Sequence, residues 1–389
     1  KDYKQAEALF RVLLETNKLQ AYFGLASLYA SKGDQVSANA FSREAIKFLP
    51  FNVPQDNGKP VVLVIQSLGH NSFELNNASY ELDVASNNMF SYVIGLVTVV
   101  RLFAEQYENE PEVLDKLPHI DLIYNGVADY DDSGHVLATL NRIIESVNRP
   151  VINPPLDSDL TSRDNNYRRL HDIKGIVFPV TLKLSPGETD EEAIQTLMTN
   201  NKLVFPILIR RAGTHVGKTF EKINSVDEYI KYNQYNKNSE VYLSQYYELD
   251  RDGIYRRFRI YCINQKICSS ADYYGKSWNV HRKSNVKITD PGYINDQKEF
   301  YENFDQFITP DLPAIKEIIS RTPLEYFGID FDILNSGKII VFEVNAAMNV
   351  NHGNKIFEQW IESAIIGLFE SKLNQKLIKG DTGRTNATY

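Results

Sequence analysis

Between residues 327 and 345 the chain reads Phe-Gly-Ile-Asp-Phe-Asp-Ile-Leu-Asn-Ser-Gly-Lys-Ile-Ile-Val-Phe-Glu-Val-Asn, a pattern that an antiparallel strand pair satisfies. Ile329, Phe331 and Ile333 alternate with Asp330 and Asp332, and Asn335-Ser336-Gly337 supplies the turn. A turn centred on Ser336 and Gly337 sets Asp330 opposite Glu343, with Asn345 two residues further along the same face. Two carboxylates and an amide oxygen then meet on an apolar hairpin. Mg²⁺ takes hard oxygen ligands of this kind, usually one or two carboxylates together with substrate phosphates. A hairpin with a solvated acidic face is the ordinary alternative. Against it stands Glu343 itself, a lone acid within Val341-Phe342-Glu343-Val344, where burial without a partner is expensive.

The rest of the chain sorts into segments around this hairpin. Residues 1–50 carry apolar and small residues at helical spacing, with Gly33-Asp34 between helices and Pro50 at the end. The order of aromatic, Leu, small residue and Tyr in residues 22–50 resembles a tetratricopeptide helical pair. An ordinary helical hairpin is the plainer reading. Such units bury their faces by stacking, and the chain opens at Lys1 in mid-pattern, so further repeats upstream are expected. Residues 51–59 read as a linker. Short apolar runs at 60–65, 120–124 and 150–152, each ending in polar or Gly residues, alternate with helical patterns near 88–107 and 135–147. That is a βαβ series with loops at the strand ends, where His70, Asn71 and Asn125 could meet a substrate. The longest apolar stretch, residues 90–103, reads as a buried helix and is too short and too interrupted to span a membrane.

Composition excludes several functions. A net charge of −8 and a pI near 5.5 argue against nucleic acid as a partner. Two cysteines, Cys262 and Cys268, make no disulfide framework, and no signal-peptide pattern is present, so a reducing, cytoplasmic setting is expected.

With these residues in view, the chain resembles the ATP-grasp ligases, in particular the glutathione-synthetase and RimK-like branch. The resemblance rests on Gly328-Ile329-Asp330, the turn, and Val341-Phe342-Glu343-Val344-Asn345 followed by Ala346-Ala347-Met348, and it extends over residues 58–375. It implies an ATP-grasp fold in which a Rossmann-like N-domain and two α+β lobes follow an all-α helical pair. The boundaries would be 1–50 for the helical pair, 51–59 for the linker and 60–157 for the α/β domain. The ATP-binding lobe would take 158–250, the metal-binding lobe 251–378, and a mobile tail 379–389.

The resemblance also assigns roles. Asp330, Glu343 and Asn345 would hold Mg²⁺ against the phosphates of ATP. Gly213, Thr214, His215 and Gly217 would close over the triphosphate, and Gln245, Tyr246 and Tyr247 would border adenine, with Glu248 as the candidate for the ribose. Arg210 stands where the family usually has a lysine, a planar fork in place of a point charge. The family's earlier lysine has no counterpart, and Arg163, Arg168 or Arg169 could replace it. Arg256, Arg257 and Arg259 are dense in an acidic chain; alternation puts Arg257 and Arg259 on one face, and Arg259 is the preferred group for stabilising a transferred phosphoryl. His281, after Trp278, is a candidate base, and Asn349, Asn351 and His352 could bind an anion.

The activity implied is ATP- and Mg²⁺-dependent joining of a carboxylate to an amine through an acyl phosphate. The helical arm points to a peptide or protein as substrate or partner, self-association being the other use of such repeats. A kinase acting on a hydroxyl and a non-catalytic nucleotide-binding scaffold are the rival readings.

Overall fold

The computed structural model describes residues 3–51, 53–55, 57–68, 74–76, 81–83, 89–93, 95–186, 191–214, 219–236, 239–280, 294, 302–303, 312–346, 350 and 355–379. His70, Asn71, His215, Gly217, His281, Asn349, Asn351, His352 and residues 380–389 of the tail lie outside them. The chain divides into two compact units, residues 1–156 with 366–389, and residues 157–365.

The first unit is built on a parallel sheet. Strands β1 (Val61–Gln66), β4 (Thr98–Phe103), β5 (Leu122–Asn125) and β6 (Val151–Ile152) lie in the order β4-β1-β5-β6, and a separate antiparallel ribbon pairs β2 (Glu74–Asn76) with β3 (Glu81–Asp83). The β1 run is apolar on both faces because helices cover a parallel sheet from both sides. Leu63, Ile65, Val100, Leu102, Ile123, Leu140 and Ile143 form its core.

The expected helix over residues 90–103 is corrected here. A 3₁₀ turn, Met89–Tyr92, is followed by β4, which runs parallel to β1 in the register Val61↔Thr98. The β-branched cluster Val97-Thr98-Val99-Val100 loses side-chain freedom in a helix and packs well on a sheet. Apolar runs of this length look alike in sequence whichever structure buries them.

Three helices, Tyr3–Leu13, Lys18–Ser31 and Gln35–Ile46, precede the sheet. Asn17 and Asp34 cap the second and third, accepting from the N–H groups of Gln20 and Ser37. Gly24 is where the first two approach: a Cβ there would sit 2.2 Å from the Phe10 ring. The helices are part of the first unit's packing, because Leu19, Phe23, Ala45 and Ile46 share one cluster with Leu68 and Phe103 at the ends of β1 and β4. The Gln106 side chain also donates to the Leu49 carbonyl at 3.1 Å. Deleting residues 1–50 would expose Leu68 and Phe103, burial of each of which is worth about 1.5–3 kcal/mol. The truncated chain should therefore melt at lower temperature, and an unchanged melting curve would show that the arm is only tethered.

The second unit holds two sheets. One is antiparallel, ordered β10-β9-β11-β8 from β8 (Thr181–Leu184), β9 (Ile207–Arg211), β10 (Glu221–Ile223) and β11 (Val241–Gln245). The other is ordered β13-β12-β14-β15-β7 from β7 (Ile176–Val177), β12 (Tyr255–Ile263), β13 (Lys266–Gly275), β14 (Tyr326–Ile333) and β15 (Ile339–Asn345). Its strands pair antiparallel except for β7, which runs parallel along the free edge of β15.

Candidate active site

The expected pairing of Asp330 with Glu343 is present, though the turn centres on Ser336 rather than between Ser336 and Gly337, so the pairs next to it lie one residue out of that register. The loop closes between Leu334 and Lys338, giving Ile333↔Ile339 and Phe331↔Val341. A bulge at Phe342 then restores Asp330↔Glu343 and Gly328↔Asn345. Bulges of this kind re-aim side chains beside functional sites.

Arginines from two other elements converge on these acids. Arg259, the direct partner of Asp330 across β12 and β14, grips its carboxylate through both oxygens, at 2.5 and 2.8 Å. Arg257 reaches the same group at 3.7 Å, as strand alternation requires. Asp330 is only 2 % exposed. Burial pushes its carboxyl up, but the charges of Arg259 and Arg257 outweigh that and hold it below the usual range. Burial likewise opposes the charge on Arg259, and Asp330 more than compensates, raising its pKa well above normal.

Glu343 is paired with Arg163. Arg163 opens the helix Arg163–Leu170, and Asn166 fixes that helix to β15. Asn166 is fully buried and its amide donates to the carbonyls of Val344, at 2.6 Å, and Thr161, at 2.8 Å, while Arg169 donates to its oxygen. Of the three arginines open in the sequence, Arg163 is the one that meets the acidic pair; Arg168 turns to Asp164 and Asn165, and Arg169 to Asn166. Nothing in the sequence marks Asn166 beyond its being one of two adjacent asparagines inside a helix, where both are weak formers.

Asp332 has separate partners. It is fully buried, accepts from Arg256 at 2.8 Å, and lies 4.0 Å from Arg251. Here burial outweighs the arginines and the carboxyl is raised. Asp332 with Arg256 forms a structural ion pair next to the site.

The donor set suits Mg²⁺. Asp330, Glu343 and Asn345 offer hard oxygens on neighbouring strands, and the Asn345 amide oxygen is buried without a hydrogen-bond partner among the described residues. No group of three His, Cys, Asp or Glu side chains that could hold a metal ion occurs among the described residues.

Three further candidates, Arg210, Tyr246 and Glu248, meet at an aromatic cluster. Arg210 lies over the Phe220 ring at 5.2 Å and donates to the Thr214 carbonyl. Gly213 takes a positive φ of 67°, and the Thr214 and Thr219 hydroxyls meet at 3.1 Å, tying together the two ends of the loop between β9 and β10. Trp278 sets its edge against Phe220, at 5.0 Å, and Tyr246, at 6.4 Å, and Lys222 sits 4.0 Å over Tyr246. Glu248 is exposed and accepts from the hydroxyls of Tyr246 and Tyr255, both at 2.9 Å. Although what burial it has works the other way, these bonds hold its carboxyl below the usual range. Gln245 spends its side chain on the main chain of Val204, and its N–H donates to Val180. Tyr247 follows directly, partly buried. Sequence reading did not foresee the cluster, since Phe220, Tyr246, Tyr255 and Trp278 come from four separate segments.

In the first unit, Asn125 is buried and its amide is spent on Val127, Tyr130 and Asn153, which makes it a clamp for the strand-end loops.

With its parallel N-terminal sheet and the sheets of the second unit, the chain has the ATP-grasp fold. No family model and no curated protein matches it by sequence. Solved structures do. The D-alanine–D-alanine ligase of Bacillus anthracis, complexed with ATP, superposes with a TM-score of 0.52 at 16% identity, covering 82% of this chain and 99% of that one. The D-alanyl-alanine synthetase A of Vibrio cholerae gives 0.51 at 12% identity, covering 82% and 99%. The N5-carboxyaminoimidazole synthase of Aspergillus clavatus, in complex with ADP and its ribonucleotide, gives 0.51 at 10% identity, covering 80% and 77%. At these identities the likeness establishes the fold alone. No helix among the described residues is long and apolar enough to cross a membrane.

Proposed function

We propose that this protein is an ATP- and Mg²⁺-dependent carboxylate–amine ligase. One observation carries the reading: Asp330 and Glu343 face each other across a strand pair while Arg163, Arg257 and Arg259 converge on them and the Asn345 oxygen is left to a ligand. When bound there, Mg²⁺ would neutralise phosphate charge between Asp330, Glu343 and Asn345. Arg259 and Arg257 are placed to take up the charge of a transferred phosphoryl, each giving up part of its hold on Asp330 as it does so. Arg163 plays the part of the absent early lysine, held by the Asn166 anchor. Arg210 and the loop carrying Gly213, Thr214, His215 and Gly217 would cover the phosphates. Tyr246, Tyr247 and Gln245 would border the base, with Glu248 near the ribose. His281 remains the candidate base.

The reaction begins with phosphorylation of a substrate carboxylate, and an amine then displaces phosphate from the acyl phosphate. Most of what the protein contributes is position and charge. A RimK-like choice of a peptide or protein substrate, docked on a tetratricopeptide-like arm, is the finer form of this reading, in a cytoplasmic, reducing setting.

Hydroxylamine tests it. An acyl phosphate formed from an acid panel with ATP and Mg²⁺ should be trapped as a hydroxamate alongside ADP. ADP accompanied by a phosphorylated hydroxyl and no hydroxamate would identify a kinase instead.

A further inference from the structure

The sheet β10-β9-β11-β8 has two unlike faces. Leu184, Ile209, Ile223, Val241 and Leu243 turn one of them into an apolar core. Alternation puts the intervening residues on the opposite face, where the register sets Lys183 of β8, Tyr242 of β11 and Arg210 of β9 in one row. Lys222 of β10, opposite Leu208, joins the same face two residues along. Three of the four strands thus present a cation on one side of the sheet.

Tyr242 is buried in the middle of that row, and its hydroxyl meets Asp164 at 3.4 Å, which brings the helix Arg163–Leu170 over this face. Arg163 and Lys183 each lie 5.9 Å from the Tyr242 ring, and Arg163 continues to Glu343. One side chain therefore joins the row of cations to the acidic pair. The acids that hold the two lysines stand at the rim: Lys183 pairs with Glu240 at 2.9 Å and Lys222 with Glu248 at 3.8 Å, and these acids are 45% and 56% exposed. Water screens such pairs, so they hold a lysine weakly. A polyphosphate, with several ionised oxygens, makes stronger charge-assisted bonds. Lys183 and Arg210 start two strand spacings, roughly 10 Å, apart, which lets both long side chains converge on one such group.

We propose that Lys183 is a further phosphate-binding residue of the nucleotide site, set across Tyr242 from Arg210 and beside Arg163. The identity of the ligand rests on the ligase reading above. Lys183 supplies a compact, rotatable point charge, which the planar forks of Arg163 and Arg210 do not.

The test uses the full chain and a non-hydrolysable ATP analogue with Mg²⁺, with melting temperature followed as the analogue is titrated. Lys183→Met keeps an apolar stem without the charge and should weaken apparent affinity at least about tenfold, the usual worth of a hydrogen bond to a charged group. Lys183→Arg should recover part of that loss. Glu240→Gln removes the rim partner alone and should bind the analogue at least as tightly as the wild type. A lysine that serves only its pair with Glu240 would leave the affinity of Lys183→Met unchanged, and a loss below the expected size overturns the proposal. If Lys183→Met does not fold, Lys183→Gln decides by the same criterion. A wild type that the analogue does not stabilise overturns the nucleotide site and this proposal together. Stabilisation that survives in Lys183→Met removes the lysine alone and leaves the ligase reading standing.

Discussion

Arg259→Ala should lower ADP formation by about 10²–10³-fold, the usual effect of removing one preorganised charge donor from a reacting centre. The substitution also strips Asp330 of its two-point partner and leaves Arg257, 3.7 Å away, as its remaining ion pair on β12. The protein should therefore lose stability as well as activity. Because the Asp330 carboxyl is depressed in the folded state, the stability it contributes is present above its ordinary value of 3.8 and is lost as pH falls through the lower folded value. The gap in melting temperature between wild type and Arg259→Ala should be full at neutral pH and close in acid. Arg259→Lys keeps the charge without the fork and should restore only part of the rate. Full activity in Arg259→Ala would remove Arg259 from the chemistry.

The second large effect is purely structural. Arg256 and Asp332 are buried together, 7 % and 0 % exposed. Arg256→Ala leaves a buried carboxylate with the Ile333 N–H, at 2.7 Å, and with Arg251, at 4.0 Å, as its remaining ion pair among the described residues, and should cost about 3–5 kcal/mol. The double change Arg256→Met with Asp332→Leu removes both charges and should recover most of that loss, since a buried ion pair rarely outperforms apolar residues of similar size. Chemical denaturation of the wild type and the two variants measures this. A mild Arg256→Ala, or a double variant as damaged as the single, would mean that Asp332 is held by something other than its charge.

Much of the hairpin was legible because it obeys short-range rules. Alternation, a turn with Gly337 and a lone acid among apolar residues brought Asp330 to Glu343 and put Arg257 and Arg259 on one face. The bulge at Phe342 was not legible, since nothing local distinguishes the extra residue from its neighbours. The strand over Thr98–Phe103 was misread because an apolar run carries little periodicity, and its parallel neighbour β1 decides the outcome. Long-range contacts account for the rest. Arg163 meets Glu343 across 180 positions, and Asn166 meets Val344 across 178. The pairing of β7 with β15 likewise joins residues far apart in the chain. The sequence left three arginines open, and only the packing of a helix on β15 brings one of them, Arg163, to Glu343.

The most direct measurement is thermal unfolding with a non-hydrolysable ATP analogue, with and without Mg²⁺, in the wild type and in Glu343→Gln. Glu343 is only half-buried, so the amide should leave the fold intact while removing a negative charge from the proposed metal site. A ligand that binds only the native state raises its stability by mass action. The wild type should gain a Mg²⁺-dependent rise in melting temperature that Glu343→Gln lacks. A rise that is independent of Mg²⁺, or equal in the two proteins, would contradict a metal–phosphate site at Asp330, Glu343 and Asn345.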